Sequence, residues 1–252
     1  QYIARGDVYQ VNLSQRFEFP FRSSPEIFLS RLYRAQPVPF ACCLDFGGFQ
    51  LLSGSMELFL RREGNRIVTR PIKGTRRRGR NSSEDSALRK ELIESEKERA
   101  ENLMIVDLMR NDLSRVCEIG SVKVNSLFDI EEYSTLYQMV SEVEGKLREG
   151  VTIDGIIRGT FPPGSVTGAP KIRAIEIIEE LEPHLRGPYC GAIGIFKPNG
   201  DFTLSVAIRV VLASRGVGTF WAGGGITWGS VPEQEYEETL IKAWATMRAL
   251  GW

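Results

Sequence analysis

Lys73 is the first residue whose type and setting could do chemistry. It lies in the stretch Arg70–Arg80, RPIKGTRRRGR, between β-type residues and a glycine, inside a basic and otherwise flexible turn. Ile67, Val68, Pro71 and Ile72 read as the end of a strand, and Gly74 and Gly79 let the backbone turn and come close to a ligand. An anionic ligand is the first inference, with the lysine placed rather than merely solvated. A wet charged face or a nucleic-acid patch uses the same residue types.

Two carboxylate pairs follow at helical spacing: Glu98 with Glu101 in KERAENL, and Glu235 with Glu238 in EQEYEETLIKA. Each pair shares a helix face, where like charges repel mildly. A divalent cation would convert that repulsion into ligation, and magnesium suits few carboxylates plus the oxygens of an anionic substrate. Lys242, seven residues beyond Glu235, lies on the same face, within reach of a substrate carboxylate. Solvated helix charges are the plain alternative. A glycine-rich loop, FPPGSVTGAPKIRAIEII from Phe161 to Ile178, feeds a helix start that can hold an anion through backbone N–H groups. It is no P-loop, because Pro170 removes an N–H that a phosphate cradle would use. AGGG at 222–225 costs backbone entropy, for which close approach of a ligand compensates.

The elements that must position these residues alternate along the chain. From Tyr9 to Phe19 apolar and polar positions alternate as in a half-buried strand. Ser24 and Pro25 open a helix. Strands are predicted at 39–46, 49–62 and 66–72, then a helix from about Glu84 to Leu113, broken near Glu96. Met139, Val143 and Leu147 mark another strand, and Pro170 starts a helix to Leu181. Segments 190–197, 202–213 and 217–227 read as antiparallel strands, the first two joined by a Pro-Asn-Gly turn. A last helix opens with the capping box Ser230-Val-Pro-Glu233 and runs to Leu250. Strands dominate and helices come as separate insertions, which argues for an α+β sandwich over a parallel doubly wound sheet.

Composition narrows the function classes. The 252 residues are 42% apolar, enough for one large domain with a full core. Basic and acidic residues number 32 each, so the Arg70–Arg80 charge is balanced elsewhere, which favours a focused anion site over a polyanion track. Cys42, Cys43, Cys117 and Cys190 lack metal or framework spacing and read as buried thiols of a reducing compartment. There is no signal peptide or apolar run of membrane length, so a cytoplasmic protein is expected. The start at Gln1, without methionine, suggests a piece of a longer polypeptide.

The motifs GDVYQVNLSQRF, PIKGTRRRG, AENLMIVDLMRNDLSRV, GSVTGAPKIRA, YCGAIG, AIRV, AGGGI and EYEETLIKA, in this order, resemble those of the chorismate-utilising enzymes over nearly the whole chain. That family includes anthranilate, aminodeoxychorismate, isochorismate and salicylate synthases. The resemblance implies an α+β fold of antiparallel sheets with helices outside, residues 1–252 being a chorismate-binding catalytic domain whose N-terminal region is missing. It also implies Mg²⁺ on the substrate ring carboxylate, with Glu101 and Glu238 as direct ligands and Glu98 and Glu235 in support. Arg209 and Tyr189 would hold the pyruvyl carboxylate. Lys242 and the backbone of Gly223 and Gly224 would assist, and Thr75 and Ser165 would line the substrate.

Within the family, members that activate water carry a lysine where this chain has Gln10, and an amide is no such base. Anthranilate synthases have PIAGT where this chain has PIKGT, and a histidine near the Thr152–Arg158 segment, which has none here. The sole histidine, His184, falls in an exposed loop. The chain is therefore similar to the component I type of aminodeoxychorismate synthase, in para-aminobenzoate and folate biosynthesis. By that likeness Lys73 attacks chorismate covalently, helped toward its neutral form by Arg70, Arg76 and Arg77 together with partial burial. Glu57 protonates the leaving hydroxyl. Ammonia would come from a glutamine amidotransferase subunit, because no Cys-His-Glu glutaminase pattern is present. Neither a nucleic acid nor a membrane is expected as partner. Anthranilate synthase component I is the rival enzyme, and a nucleic-acid-binding module using Arg70–Arg80 the rival of another class.

Overall fold

The alternation predicted near the N-terminus forms strand β1 (Gln10–Pro20) in the computed structural model, which describes residues 1–251. Helix α1 (Pro25–Ala35) follows, its N-terminus capped by Ser24, whose hydroxyl accepts from Ile27 N at 3.3 Å. The stretch expected as one strand over 49–62 is two. After β2 (Phe40–Asp45) come β3 (Gln50–Ser55) and β4 (Leu58–Glu63), with Met56 and Glu57 between them. Likewise 66–72 divides into β5 (Arg66–Arg70) and β6 (Ile72–Arg77). The supposed flexible turn around Lys73 is thus a strand, ordered by pairing.

Helices α2 (Ser82–Glu94) and α3 (Glu96–Ser114) are separated at Ser95, whose hydroxyl accepts from Glu98 N and so begins α3. β7 (Lys123–Glu132) and α4 (Ile153–Thr160) were not anticipated; between them lies β8 (Leu136–Lys146). β9 (Gly168–Ala169) leads into α5 (Lys171–Leu181), then β10 (Ala192–Phe196). The predicted strand 202–213 breaks into β11 (Phe202–Val206) and β12 (Val210–Ser214), followed by β13 (Val217–Ile226) and α6 (Pro232–Leu250). The capping box expected at Ser230 is absent: Val231 occupies the cap, and the Ser230 hydroxyl donates to Glu235 Oε1 at 2.6 Å instead.

These elements build two compact units, each from separated segments. The first comprises Gln1–Met56, Val166–Ala192 and the chain from Val206 onward. Its sheet runs β2-β3-β12-β13-β1-β9. The longest pairing is β1 with β13, antiparallel from Val11 opposite Ile226 to Pro20 opposite Val217. Phe19, Phe28, Leu32, Leu52, Val211 and Phe220 form a core with Ala243, Ala245 and Ala249 of α6. Each fully buried large side chain contributes about 1.5–3 kcal/mol. Small alanines on that helix let it approach the sheet closely.

The second unit comprises Glu57–Ser165 and Ile193–Ser205. Its sheet runs β10-β11-β4-β5-β8-β6, and β7 lies along β8. β5 and β6 pair successive stretches of β8, so this strand is the spine of the unit. Helix α3 is tied to the spine by Asn102, which is fully buried and accepts from Ser141 Oγ at 2.5 Å. The described pairings in both sheets are antiparallel, and helices stand apart from them in sequence, which is the α+β class. No helix among the described residues is long and apolar enough to cross a membrane. Cys117 and Cys190 are buried as expected, whereas Cys42 is half-buried and Cys43 exposed because they lie on edge strand β2.

Candidate active site

Lys73 stands on a β-bulge. Ile72 faces Val140 and Thr75 faces Gln138, so three steps along β6 match two along β8, and the extra residue falls at Lys73–Gly74. Gly74 has φ +87°, a left-handed conformation that suits glycine. A side chain there would also collide with Leu92 Cδ1 at 2.9 Å and meet Glu98 Oε2 at 3.2 Å. Glycine therefore lets the Lys73 backbone sit directly beneath the first turn of α3, and Lys73 itself is half-buried. Thr75, next on the strand, is exposed.

The arginines around it are already matched. Arg70 pairs with Glu131 at 2.6 Å and Glu142 at 3.3 Å; Arg76 pairs with Glu91 at 2.8 Å and Glu98 at 3.1 Å. Arg77 pairs with Glu84, and Arg78 with Asp85 at 2.6 Å. The Arg78 guanidinium, the Tyr137 hydroxyl and Gly79 N hold Asp85 well below the usual carboxylate range. The basic run is thus a set of ion pairs rather than a cationic track. Each of these guanidiniums therefore acts on its surroundings as half of an ion pair, whose opposite charges offset one another at a distance.

Glu57 occupies the gap between β3 and β4 and is 4% exposed, so it is not the solvated strand-edge charge that an isolated reading allows. Ser165 is buried in the short turn Gly164–Val166. On α3, Glu98 and Glu101 keep 19% and 13% side-chain exposure, and Lys97 Nζ lies 4.0 Å from Glu101 Oε1.

In the first unit, Tyr189 and Arg209 are brought together by two backbone links, Cys190 N to Ala207 O and Ala207 N to Gly191 O, both 2.9 Å. Cys190 and Arg209 both adopt left-handed backbone conformations, φ +66° and +51°, which non-glycine residues rarely do and which cluster at functional sites. Arg209 falls between β11 and β12, its carbonyl accepting from Gly54 N at 2.9 Å. Burial lowers its pKa to about 10, with the Tyr189 phenol opposing, so it remains a cation at neutral pH. Burial drives the Tyr189 phenol well above its ordinary value, so it stays a hydrogen-bond donor.

The glycine run closes this side. A Cβ on Gly223 would meet Tyr189 Oη at 3.0 Å, and one on Gly225 would meet the Gln10 amide at 2.9 Å. Lys242 Nζ donates to Gly223 O at 2.9 Å and pairs with Glu238 Oε1 at 2.5 Å. Gln10 is fully buried, and among the described residues neither amide atom has a hydrogen-bond partner; Asn12 Nδ2 and Trp221 Nε1 share that condition. Buried polar atoms of this kind are costly unless a ligand or solvent meets them.

Magnesium takes hard oxygen ligands, and the donors here are carboxylates. A Cβ on Gly224 would stand 3.2 Å from Glu235 Oε2 and 3.8 Å from Glu238 Oε1, so glycine preserves a space that two carboxylates border. In the second unit, Glu98 Oε2 lies 3.2 Å from where a Cβ on Gly74 would stand. Each pair separately presents hard carboxylate oxygens, the donor type that magnesium takes. Among the described residues no three Asp, Glu, His or Cys side chains already form a metal cage. Lys242, Arg76 and Lys97 pair with these carboxylates.

Sequence reading missed one buried arrangement, Glu182 with Arg186. Their spacing of four was the available signal, obscured because Pro183 interrupts the helix between them. Arg186 Nε donates to Glu182 Oε2 at 2.8 Å and Nη2 to Glu182 Oε1 at 2.6 Å. His184, expected in an exposed loop, is exposed.

Residues 1–248 match the family described as chorismate binding enzyme. The chain is 47% identical over 250 residues to aminodeoxychorismate synthase component 1 of Bacillus subtilis, covering 99% of this chain and 53% of that protein. It is 46% identical over 250 residues to anthranilate synthase component 1 of Aquifex aeolicus, with coverage of 99% and 51%. The crystal structure of anthranilate synthase component I from Streptococcus pneumoniae superposes with a TM-score of 0.88 at 36% identity, covering 97% of this chain and 55% of that one. The chain spans about half the length of these relatives. With its motifs, fold and matched residues in agreement, it belongs to the chorismate binding enzyme family.

Proposed function

We propose that this chain is the catalytic part of an aminodeoxychorismate synthase component I. It would convert chorismate and ammonia to 4-amino-4-deoxychorismate, the ammonia arriving from a glutamine amidotransferase subunit. The observation that carries the reading is Lys73 on its bulge, a half-buried amine presented by a distorted strand where a solvated lysine would need no such support.

In the proposed reaction the neutral Lys73 amine bonds to C2 of chorismate, both ring double bonds shift, C1=C2 and C5=C6 becoming C1=C6 and C4=C5, and the C4–oxygen bond breaks. Glu57 supplies the proton with which the hydroxyl leaves as water. Ammonia then bonds to C4, both double bonds shift back, the C2–nitrogen bond breaks to release the Lys73 amine, and the proton lost from the new C4 ammonium restores Glu57. The sum is chorismate plus ammonia giving aminated product plus water, with the pyruvyl group kept. Arg209 and Tyr189 would hold the pyruvyl carboxylate; Lys242 and the Gly223 and Gly224 backbone would assist, with Thr75 and Ser165 lining the substrate. Glu101 and Glu238, supported by Glu98 and Glu235, would ligate Mg²⁺, which neutralises the ring carboxylate when bound. Gln10 in place of a base disfavours water as nucleophile.

Anthranilate synthase is the second reading, favoured by the 46% identity to the Aquifex aeolicus protein. Incubation with chorismate, Mg²⁺ and ammonium separates the two. The expected product becomes para-aminobenzoate only after an aminodeoxychorismate lyase is added, whereas direct appearance of fluorescent anthranilate would overturn the proposal.

A further inference from the structure

We propose that Arg186, clamped by Glu182, is a positioning residue that seats Tyr189 and the β1 backbone for the substrate carboxylate; this rests on the chorismate reading above. The guanidinium spends its fork on four separate partners. Beyond the two bonds to Glu182, Nη2 donates to Asn12 O at 2.5 Å, and Nη1 donates to Val166 O at 3.0 Å and approaches Cys190 Sγ at 3.3 Å. Glu182 Oε1 accepts in turn from Ser14 N at 2.8 Å and Ser14 Oγ at 2.9 Å.

One ion pair therefore joins β1, the loop before β9 and the segment bearing Tyr189. Side-chain exposures of 13% for Arg186 and 7% for Glu182 place it where hydrogen bonds to charged groups are strong and costly to lose. The guanidinium carbon also lies 5.6 Å from the centre of the Tyr189 ring, which stacks nearly parallel on Trp221 with centroids 6.3 Å apart. Tyr189 is thus fixed through its ring, leaving its hydroxyl toward Gly223. Arg186 has its donors committed to protein atoms, so its influence on substrate passes through Tyr189 and Asn12.

Arg186→Lys tests this, because it keeps the charge opposite Glu182 but cannot make the forked contact and reach the carbonyls together. The expected result is a KM and calorimetric Kd for chorismate raised about tenfold, the loss of one charge-assisted bond's worth of positioning, with kcat changed less than about twofold. Tyr189→Phe and Arg209→Lys are run beside it. If Tyr189→Phe weakens binding while Arg186→Lys stays within twofold of the parent, the positioning role is overturned and the site reading stands. If all three leave chorismate binding unchanged, the site reading falls and takes this inference with it. Loss of kcat and melting temperature together, with KM unchanged, would make Arg186 merely structural and overturn the proposal. Should Arg186→Lys fail to fold, the double variant Arg186→Gln with Glu182→Gln removes both buried charges at once and is expected to raise KM similarly.

Discussion

A lysine amine attacks carbon only when neutral, and the usual value near 10.4 leaves it charged at pH 7. The neighbouring arginines were the expected cause of a lower value, yet each is paired with a carboxylate. Lys73 itself is half-buried on its bulge, and burial of an amine disfavours its charged form. Replacing Lys73 with alanine is expected to lower single-turnover amination at least about 100-fold while chorismate affinity by calorimetry changes less than about threefold. Unimpaired turnover would remove Lys73 from the mechanism. Glu101→Gln or Glu238→Gln is expected to weaken Mg²⁺-linked chorismate binding at least about tenfold, more than Glu98→Gln or Glu235→Gln does. Equal magnesium-linked binding in all four variants, measured by titration with and without the metal, would refute the ligand assignment.

The elements carry these residues at places where regular structure fails. Glu57 and Arg209 each sit in a break within a stretch that reads as one continuous strand, and Lys73 sits on a bulge. Runs of apolar and β-branched residues made these strands legible, since they are buried over consecutive positions, but apolar residues continue through the breaks, so the interruptions were invisible. β7 escaped notice for a related reason. Its burial does alternate, but polar Ser126 takes an inward position and apolar Leu127 an exposed one, so residue type does not follow the pattern. The residue types at the site were legible from motifs, whereas their partners across β8 were not, because pairing over long separations leaves no local pattern.

The β5–β8–β7 ladder also makes a pH prediction. Glu144 on β8 receives Lys123 at 2.9 Å, Asn125 at 2.7 Å and Arg66 at 2.5 Å, and its pKa is lowered from 4.5 to about 2. A depressed carboxylate contributes stability that is fully present above pH 4.5 and lost as pH falls toward 2. Melting temperature should therefore drop more steeply between those values in the parent than in Glu144→Gln. Parallel curves would show that the cluster contributes nothing to acid sensitivity.

At the scale of the whole molecule, the first unit draws its sheet from both ends of the chain. β1 finds its main partner in β13, about two hundred residues later. Removing everything after Ser214 is expected to leave amides 10–20 exchanging freely with solvent while those of β8 remain protected, because β5, β6, β7 and β8 lie within one continuous stretch of the second unit. Protection of β1 in that fragment would contradict this.

The same pairing has a meaning in time as well as in space. At a synthesis rate of about 5–20 residues per second, β1 waits on the order of 10–40 s for β13 to leave the ribosome. Throughout that interval Val11, Leu13, Phe17 and Phe19 belong to a strand without its long neighbour, while the second unit's spine has already emerged. The nascent chain must pass through a state that is half finished and half sticky, with an open strand edge of the kind that invites pairing with another chain. Yield during expression should therefore depend on how that interval is shielded, and slower translation of residues 21–216 lengthens the exposure rather than relieving it.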